Sequence, residues 1–344
     1  MTQTQETTTE KFAVLGAGTW GITLANILTE NGHEVCCWDI DQRLIDTLSQ
    51  TRRHPRLGDF TISPTMELTT DLTAALYHAS HVVLVVPSKA MRSACQAILA
   101  TSRVESIANW VICTKGIEQK TLMLMNEVLV DVLGEAVAPR LSVLSGPSHA
   151  EEVSRGMPTT LVAANDYDPE RAQKVQQWFF RNYLRVYTQH DVQGVELGAS
   201  VKNVIAIAGG ISDGMGFGDN ARAALMTRGL AEMVRLGNAA GARLETFMGL
   251  SGIGDLIVTA GSRHSRNHQF GTLLAKGYTC EKALEEVGMV VEGYTTALSA
   301  WQLGRKYGVE MPITEAVYQV CYEGKPAHQA VQDLLAREPK PEQY

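Results

Sequence analysis

Residues 12–28 read FAVLGAGTWGITLANIL, which is the pattern of a strand, a glycine turn and a helix. Phe12, Ala13, Val14 and Leu15 suit a buried strand, and Ile22, Leu24, Ala25, Ile27 and Leu28 then form a broad apolar stripe at helical spacing. Between them lies Gly16-Ala17-Gly18-Thr19-Trp20-Gly21. On such a unit the first glycine permits the tight turn and the second lets the backbone approach a pyrophosphate. The third allows helix and strand to pack closely, while free N–H groups at the helix start attract phosphates. Glycine clusters also occur in ordinary turns. This one has the required strand before it, a helix after it and a second strand beyond, the context of a dinucleotide site built on Gly16, Gly18, Thr19, Trp20 and Gly21.

Working outward, Asn31-Gly32-His33 stops the helix, and residues 34–38 (EVCCW) make a second strand ending at Asp39. Asp39 lies 18 positions beyond Gly21, about where an acid meets an adenosine ribose; the alternative is a capping aspartate for the helical run at 43–48. Residues 51–66 are basic, proline-broken and irregular. Helical patterns at 70–79, 89–99 and 121–133 alternate with apolar strands at 81–86, 110–113 and 141–144, the last ending at Ser145-Gly146-Pro147-Ser148. Strands at 159–163 and 185–187 flank a helix at 169–180. This alternation implies a parallel sheet covered on both faces, with ligands beyond the carboxyl ends of its strands.

From about Gly194 the pattern changes to helical periodicity alone, at 196–211, 220–240, 281–287, 294–307, 312–322 and 327–336. The expected organisation is a tail over 1–10, an α/β Rossmann-type doubly wound domain over 11–193, an all-α domain over 194–336 and a frayed end over 337–344.

Composition narrows the class. The 344 residues are 45 % hydrophobic and 19 % charged, ample for two cores. A net charge of −7 argues against nucleic acid as the main partner, though it leaves room for a local anion pocket. The six cysteines have no zinc-like spacing and read as reduced thiols of a cytoplasmic protein. The amino-terminal residues MTQTQETTTE lack the basic start and apolar core of a signal peptide. The longest apolar passage, 201–211, carries Lys202 and Asn203 and is too short to span a bilayer.

Four places carry candidate chemistry. Lys115, at the end of a buried strand, presents its ammonium to a ligand or is simply a solvated loop lysine. Lys202 sits in the apolar run LGASVKNVIAI, residues 197–207. An amine in apolar surroundings gives or takes a proton more readily near neutral pH, as ketone reduction requires; the alternative is a lysine that snorkels from a helix edge. Asp255, in GIGDL, either holds an amine or caps a helix. GSRHSRNH, residues 261–268, offers Arg266 as a planar fork for phosphate, with Ser265 and Asn267 as neutral partners. His264 and His268 are four apart, but no nearby acid or cysteine completes a metal site, so no metal is expected.

Together these stretches resemble the bacterial-type NAD(P)-dependent glycerol-3-phosphate dehydrogenases. The matching motifs are GAGTWG (16–21), VVPS (85–88), TKGIE (114–118), LSGPSHAEE (144–152), VKNVIAIAGGISDGMGFGDNARAALMTRGLAEM (201–233), GLSGIGDLIVT (249–259), SRN (265–267), VVEGY (290–294) and GVEMPIT (308–314). The resemblance implies reversible reduction of dihydroxyacetone phosphate to sn-glycerol 3-phosphate by NADH or NADPH, feeding phospholipid synthesis, in a homodimer. It implies that Lys202 is the proton donor and acceptor. Lys115, Gly146, Ser148, Asp255, Ser265, Arg266 and Asn267 fall on substrate positions. Gly16, Thr19, Trp20, Lys115, Ala150, Arg266, Val290 and Glu292 fall on cofactor positions. One departure stands out: many relatives carry a basic residue shortly after the tryptophan of the second strand, where this chain has Asp39-Ile40-Asp41. Two acids suit a free ribose 2′-hydroxyl, which implies NADH over NADPH. The rival expectations are a related hydroxyacid or ketopantoate-type reductase and a non-catalytic NADH sensor.

Overall fold

The structure is a computed structural model that describes residues 9–339 and 341–342. The rest of the expected tail (1–8) and of the expected frayed end (340, 343 and 344) lies outside the described residues. The chain forms two compact units, one of residues up to Lys115 with Leu124–Val192, the other of Gly116–Met123 with the residues from Gln193 onward. The assignment of the short segment 116–123 to the second unit is invisible in chain order.

The first unit is an eight-stranded sheet of β1 (Lys11–Leu15), β2 (Glu34–Trp38), β3 (Glu67–Thr69), β4 (His81–Leu84), β5 (Asn109–Ile112), β6 (Leu141–Ser145), β7 (Thr159–Ala164) and β8 (Leu184–Gln189). Its helices are α1 (Thr19–Glu30), α2 (Gln42–Thr51), α3 (Leu72–Tyr77), α4 (Met91–Ala100), α5 (Met125–Leu133), α6 (Ala150–Val153) and α7 (Pro169–Phe179). The strand order is β3-β2-β1-β4-β5-β6-β7-β8. All neighbours are parallel except β6 and β7, so the expected parallel sheet contains one antiparallel step. Strand order reverses between β1 and β4, and the glycine turn leaves the carboxyl end of β1 at that switch point.

The central strands β4, β5 and β6 are buried at every position, which is why they read as continuous apolar runs. The edge strand β8 alternates Leu184 and Val186 inward with Arg185 and Tyr187 outward. Aspartates start the helices: Asp41 Oδ1 accepts from the Arg43 and Leu44 N–H groups, Asp71 caps α3, and Asp168 precedes Pro169 at the head of α7.

At the amino ends of the central strands, Phe12, His33, His81 and Trp178 pack ring against ring, with centroids 4.5–5.2 Å apart. Asn109 Oδ1 accepts from Arg171 Nη1 at 2.6 Å, which turns its Nδ2 toward His81 Nδ1 at 3.0 Å. The proton of His81 is therefore on Nε2, where it is donated to the Glu10 carboxylate at 3.1 Å. Burial holds His33 and His81 below the usual imidazole range. Glu10 corrects the expected tail. Its N–H donates to His33 Nδ1 at 3.2 Å and its carbonyl accepts from Glu34, so order begins before residue 11.

The second unit holds α8 (Val192–Gly214), α9 (Asp219–Ala240), α10 (Leu244–Phe247), α11 (Asp255–Gly261), α12 (Arg266–Ala275), α13 (Cys280–Val287), α14 (Glu292–Tyr307), α15 (Pro312–Tyr322) and α16 (Ala327–Leu335). The α8 helix is its axis. At 23 residues it is long enough to cross a bilayer, which corrects the expectation from the shorter apolar passage, but 94 % of its most apolar window is buried inside the protein. A Cβ on Gly210 would lie 2.0 Å from the His268 carbonyl and one on Gly271 2.1 Å from that of Ile207, so these glycines let α8 and α12 meet backbone to backbone. Helices α10, α11 and α12 were not expected, being short or interrupted by polar residues and glycine. On α9, buried Glu232 accepts from the Ile313 and Thr314 N–H groups at 2.6 and 3.0 Å and caps α15 from outside. Burial pushes its carboxyl up to about 7, against those hydrogen bonds.

Candidate functional site

In the sheet unit the site is made mostly of main chain. Gly16 has φ +113° and donates its N–H to the Trp38 carbonyl at 2.7 Å; a Cβ there would lie 2.9 Å from the Val85 carbonyl oxygen. A Cβ on Gly21 would lie 1.8 Å from the Gly16 oxygen. The fold itself requires both. Gly18 differs, because a Cβ there would meet nothing within 4 Å. Its lack of a side chain has no packing reason, and close approach by a ligand supplies one. The α1 helix has neither a side-chain cap nor an acidic residue in its first turn, so its positive end is not neutralised locally. Thr19 is buried and Trp20 half-buried beside it. These residues fit a dinucleotide pyrophosphate.

Asp39 Oδ2 accepts from the Ala17 N–H at 2.7 Å and Oδ1 from the Asp41 N–H at 3.0 Å. Asp39 thus ties the end of β2 to the glycine turn, and the capping alternative falls to Asp41. Ile40 is 82 % exposed, with no basic side chain in its place. His54, whose basic loop reads as either near a cofactor phosphate or solvated, is buried, folds back from that loop and hydrogen-bonds the backbone of Ala17.

Beyond β5, Thr114 Oγ1 donates to the Val86 carbonyl at 2.7 Å, fixing the strand end that carries Lys115. Lys115 Nζ donates to the Gly146 carbonyl at 3.4 Å, and Ser148 Oγ donates to the same oxygen at 3.0 Å. Three residues distant in sequence or separated by a proline thus meet at one atom. Ala150 is buried at the start of α6, just beyond.

The helical unit has candidate residues of its own, and these are side chains. Lys202 on α8 is 4 % exposed; its Nζ donates to Asp255 Oδ1 at 2.7 Å and to Thr259 Oγ1 at 2.5 Å. Thr259 donates in turn to Asp255 Oδ1 at 3.2 Å. Asp255 and Thr259 are one turn apart on α11, so a single helix face presents both. The snorkelling alternative for Lys202 is excluded by this burial. The capping alternative for Asp255 is excluded too, since Gly254 holds the cap position. Thr259 was missed; its signal was the four-residue spacing from Asp255.

The loop at 261–268 resolves into a cap and a helix start. Ser265 Oγ accepts from the His268 N–H at 3.3 Å, and Arg266, exposed, is the first residue of α12. Asn267 is buried: its Nδ2 donates to Asn203 Oδ1 at 3.0 Å and its Oδ1 accepts from the Gly293 N–H at 2.8 Å. It fastens α12 to α8 and to the start of α14, where Glu292 is the first residue and Val290 lies two before it. His264 precedes the helix rather than sharing it with His268, which instead meets Asp213 Oδ2 at 2.8 Å. Among the described residues no group of three or more His, Cys, Asp or Glu is placed to hold a metal.

Comparison with known proteins adds the following. Two family models match, described as NAD-dependent glycerol-3-phosphate dehydrogenase N-terminus over residues 11–171 and C-terminus over residues 191–332. The chain is 48 % identical over 333 residues to a glycerol-3-phosphate dehydrogenase [NAD(P)+] of Carboxydothermus hydrogenoformans, covering 96 % of this chain and 98 % of the relative. It is 45 % identical over 335 residues to a protein of the same name from Levilactobacillus brevis, covering 97 % and 99 %. Among solved structures, glycerol-3-phosphate dehydrogenase from Coxiella burnetii superposes with a TM-score of 0.89 at 35 % identity, covering 96 % of this chain and 99 % of that one.

Proposed function

The chain belongs to the family of NAD-dependent glycerol-3-phosphate dehydrogenases, which reduce dihydroxyacetone phosphate to glycerol 3-phosphate with NAD(P)H, and on that premise we propose how its residues carry the step. The observation that carries the proposal is the buried trio of Lys202, Asp255 and Thr259. When a ketone carbon accepts hydride, the electron pair of the C=O bond moves to oxygen, and a proton must reach that oxygen. Lys202 delivers it from Nζ and, in the reverse direction, takes it from the alcohol. Asp255 orients the amine and compensates its charge inside the protein. Thr259, which accepts from the amine and donates to the carboxylate, fixes the angle between them. The bound nicotinamide cofactor supplies the hydride.

Lys115, Gly146, Ser148, Asp255, Ser265, Arg266 and Asn267 hold the substrate, and the exposed guanidinium of Arg266 at the positive end of α12 suits its phosphate. Gly16, Gly18, Thr19, Trp20, Gly21, Asp39, Lys115, Ala150, Arg266, Val290 and Glu292 hold the dinucleotide. The acids Asp39 and Asp41 with Ile40 between them favour NADH over NADPH. Residues 11–193 serve as the dinucleotide-binding domain and 194–336 as the substrate domain. The product is the sn isomer destined for phospholipids, the working form is a homodimer, and six cysteines in the thiol form fit the cytoplasm.

The test is oxidation of NADH and of NADPH, followed by absorbance, with dihydroxyacetone phosphate and with non-phosphorylated ketoacids. Turnover confined to the phosphorylated triose supports the reading, and turnover of ketoacids favours the rival reductase. A kcat/KM that strongly prefers NADPH overturns the NADH assignment alone.

A further inference from the structure

Cys280 is the first residue of α13 and Cys321 the last but one of α15, and each thiol is close enough to shift the ionisation of the other. Cys280 Sγ also lies 3.7 Å from the carbonyl of Val320, the residue before Cys321. The two sulfurs are neighbours although 41 positions separate them in the chain (321 − 280). Cys280 is half-buried and Cys321 buried, so a small reagent meets the first before the second.

The surroundings make the pair unequal. The Cys321 thiol beside it lowers Cys280 from its ordinary range, against burial and the neighbouring Glu281 carboxylate, while Cys321 is held well above. The amino end of α13 also favours a negative sulfur. Elsewhere burial pushes the Cys36 thiol up to about 11, raises Cys37 and Cys113 as well, and encloses Cys95. One half-buried thiol lowered from its ordinary range, with a second, buried thiol beside it, is the arrangement of a nucleophile and a resolving partner.

We propose that Cys280 and Cys321 form a reversible disulfide, closed by a hydroperoxide and reopened by a thiol reductant. The Cys280 thiolate attacks the peroxide, the O–O bond breaks, and the departing oxygen takes a proton and leaves as water or alcohol. The sulfur becomes a sulfenic acid. Cys321 then attacks that sulfur, the S–O bond breaks, and the hydroxyl leaves as water with the Cys321 proton. Two electrons pass from the two sulfurs to the peroxide.

The bond has a route to the first turn of α14. Tyr294 stacks on Tyr322 with ring centroids 5.0 Å apart, and the Tyr322 hydroxyl donates to the Tyr294 carbonyl at 2.9 Å. Cys321 adjoins Tyr322, and Tyr294 is two residues beyond Glu292. A disulfide needs its sulfurs about 2.05 Å apart, closer than any thiol contact, so closure draws the start of α13 and the end of α15 together and moves this tyrosine pair. The effect on catalysis rests on the reading of Val290 and Glu292 as cofactor residues: oxidation raises the KM for NADH.

The experiment treats the reduced full-length protein with about five equivalents of hydrogen peroxide and maps its peptides. The expected product is a Cys280–Cys321 linked peptide that dithiothreitol abolishes. In Cys321→Ser the link is absent and dimedone labels Cys280. Iodoacetamide alkylates Cys280 about tenfold faster than Cys36 in the reduced protein. The KM for NADH rises about threefold on oxidation, recovers on reduction, and does not respond in Cys280→Ser. Failure to form the link, or dimedone labelling chiefly at another cysteine, overturns the proposal. A link with unchanged KM overturns its coupling to α14, and absence of NADH oxidation by the reduced protein strikes the functional reading instead.

Discussion

The candidate residues of the sheet unit act mostly through main chain, and those of the helical unit act through side chains. Gly16 and Gly21 matter for the close backbone approach they permit, and Gly18 for the open space beside it at the start of α1. Lys202, Asp255 and Thr259 matter for what they carry, and each depends on the other two. A site made of backbone is disturbed only by added atoms. A site made of buried side chains is disturbed by their removal, because the partner left behind is buried with an unmet charge or hydrogen bond.

The sharpest way to break that contrast is Lys202→Ala. Turnover falls about 10³-fold or more while NADH affinity changes less than about twofold, read by steady-state kinetics and fluorescence titration. Equal loss of both would mean that the lysine serves binding rather than proton transfer. Two glycine substitutions come next. Gly21→Ala sets a methyl 1.8 Å from the Gly16 oxygen and destabilises the sheet unit by about 3 kcal/mol, seen in denaturant unfolding. Gly18→Ala, with no protein atom within 4 Å of its new carbon, leaves unfolding unchanged and raises the KM for NADH about tenfold. If Gly18→Ala instead unfolds the protein with NADH binding intact, Gly18 serves the fold and not a ligand. Thr259→Val keeps the shape and removes the hydroxyl, lowering kcat about tenfold, with Thr259→Ser restoring most of it.

Smallest is an opposite response of the two units to acid. Burial lowers His33 and His81 in the folded sheet unit, so between their folded values and the usual 6.5 the unfolded chain binds more protons. The stability they contribute is present above about 6.5 and is lost as pH falls. Glu232 acts the other way. Its folded value near 7 exceeds the usual 4.5, so the folded helical unit holds a proton that the unfolded chain has released. Its contribution is present below about 4.5 and is lost as pH rises toward 7. Hydrogen exchange at pH 7 and pH 5 should show β1 and β4 less protected, and α15 more protected, at the lower pH. Glu232→Gln should abolish the second trend only.

What was legible follows the same division. The strand, turn and helix at 12–28 could be read because every part of that unit is local, and Lys202 drew notice because a charge inside an apolar run is anomalous wherever it folds. The basic loop around His54 could be noticed but not placed, since nothing in a proline-broken stretch says that this histidine returns to Ala17. The α12 helix escaped because close contact through Gly210 and Gly271, rather than an apolar stripe, holds it against α8. The antiparallel β7 escaped because strand direction is a property of the sheet, and composition is the same either way.

By itself, the sequence determined that a dinucleotide turn opens the chain, that strands alternate with helices before helices take over, and that an amine lies within an apolar helix. These are statements about neighbours in the chain, fixed by backbone sterics and by the periods of helix and strand. Only the tertiary structure decided that this amine meets Asp255 and Thr259, that Asn267 joins three helices, and that Cys280 lies against Cys321. Those contacts span 26 to 64 positions of chain, and such distances are closed by the burial of surfaces collectively rather than by any local preference.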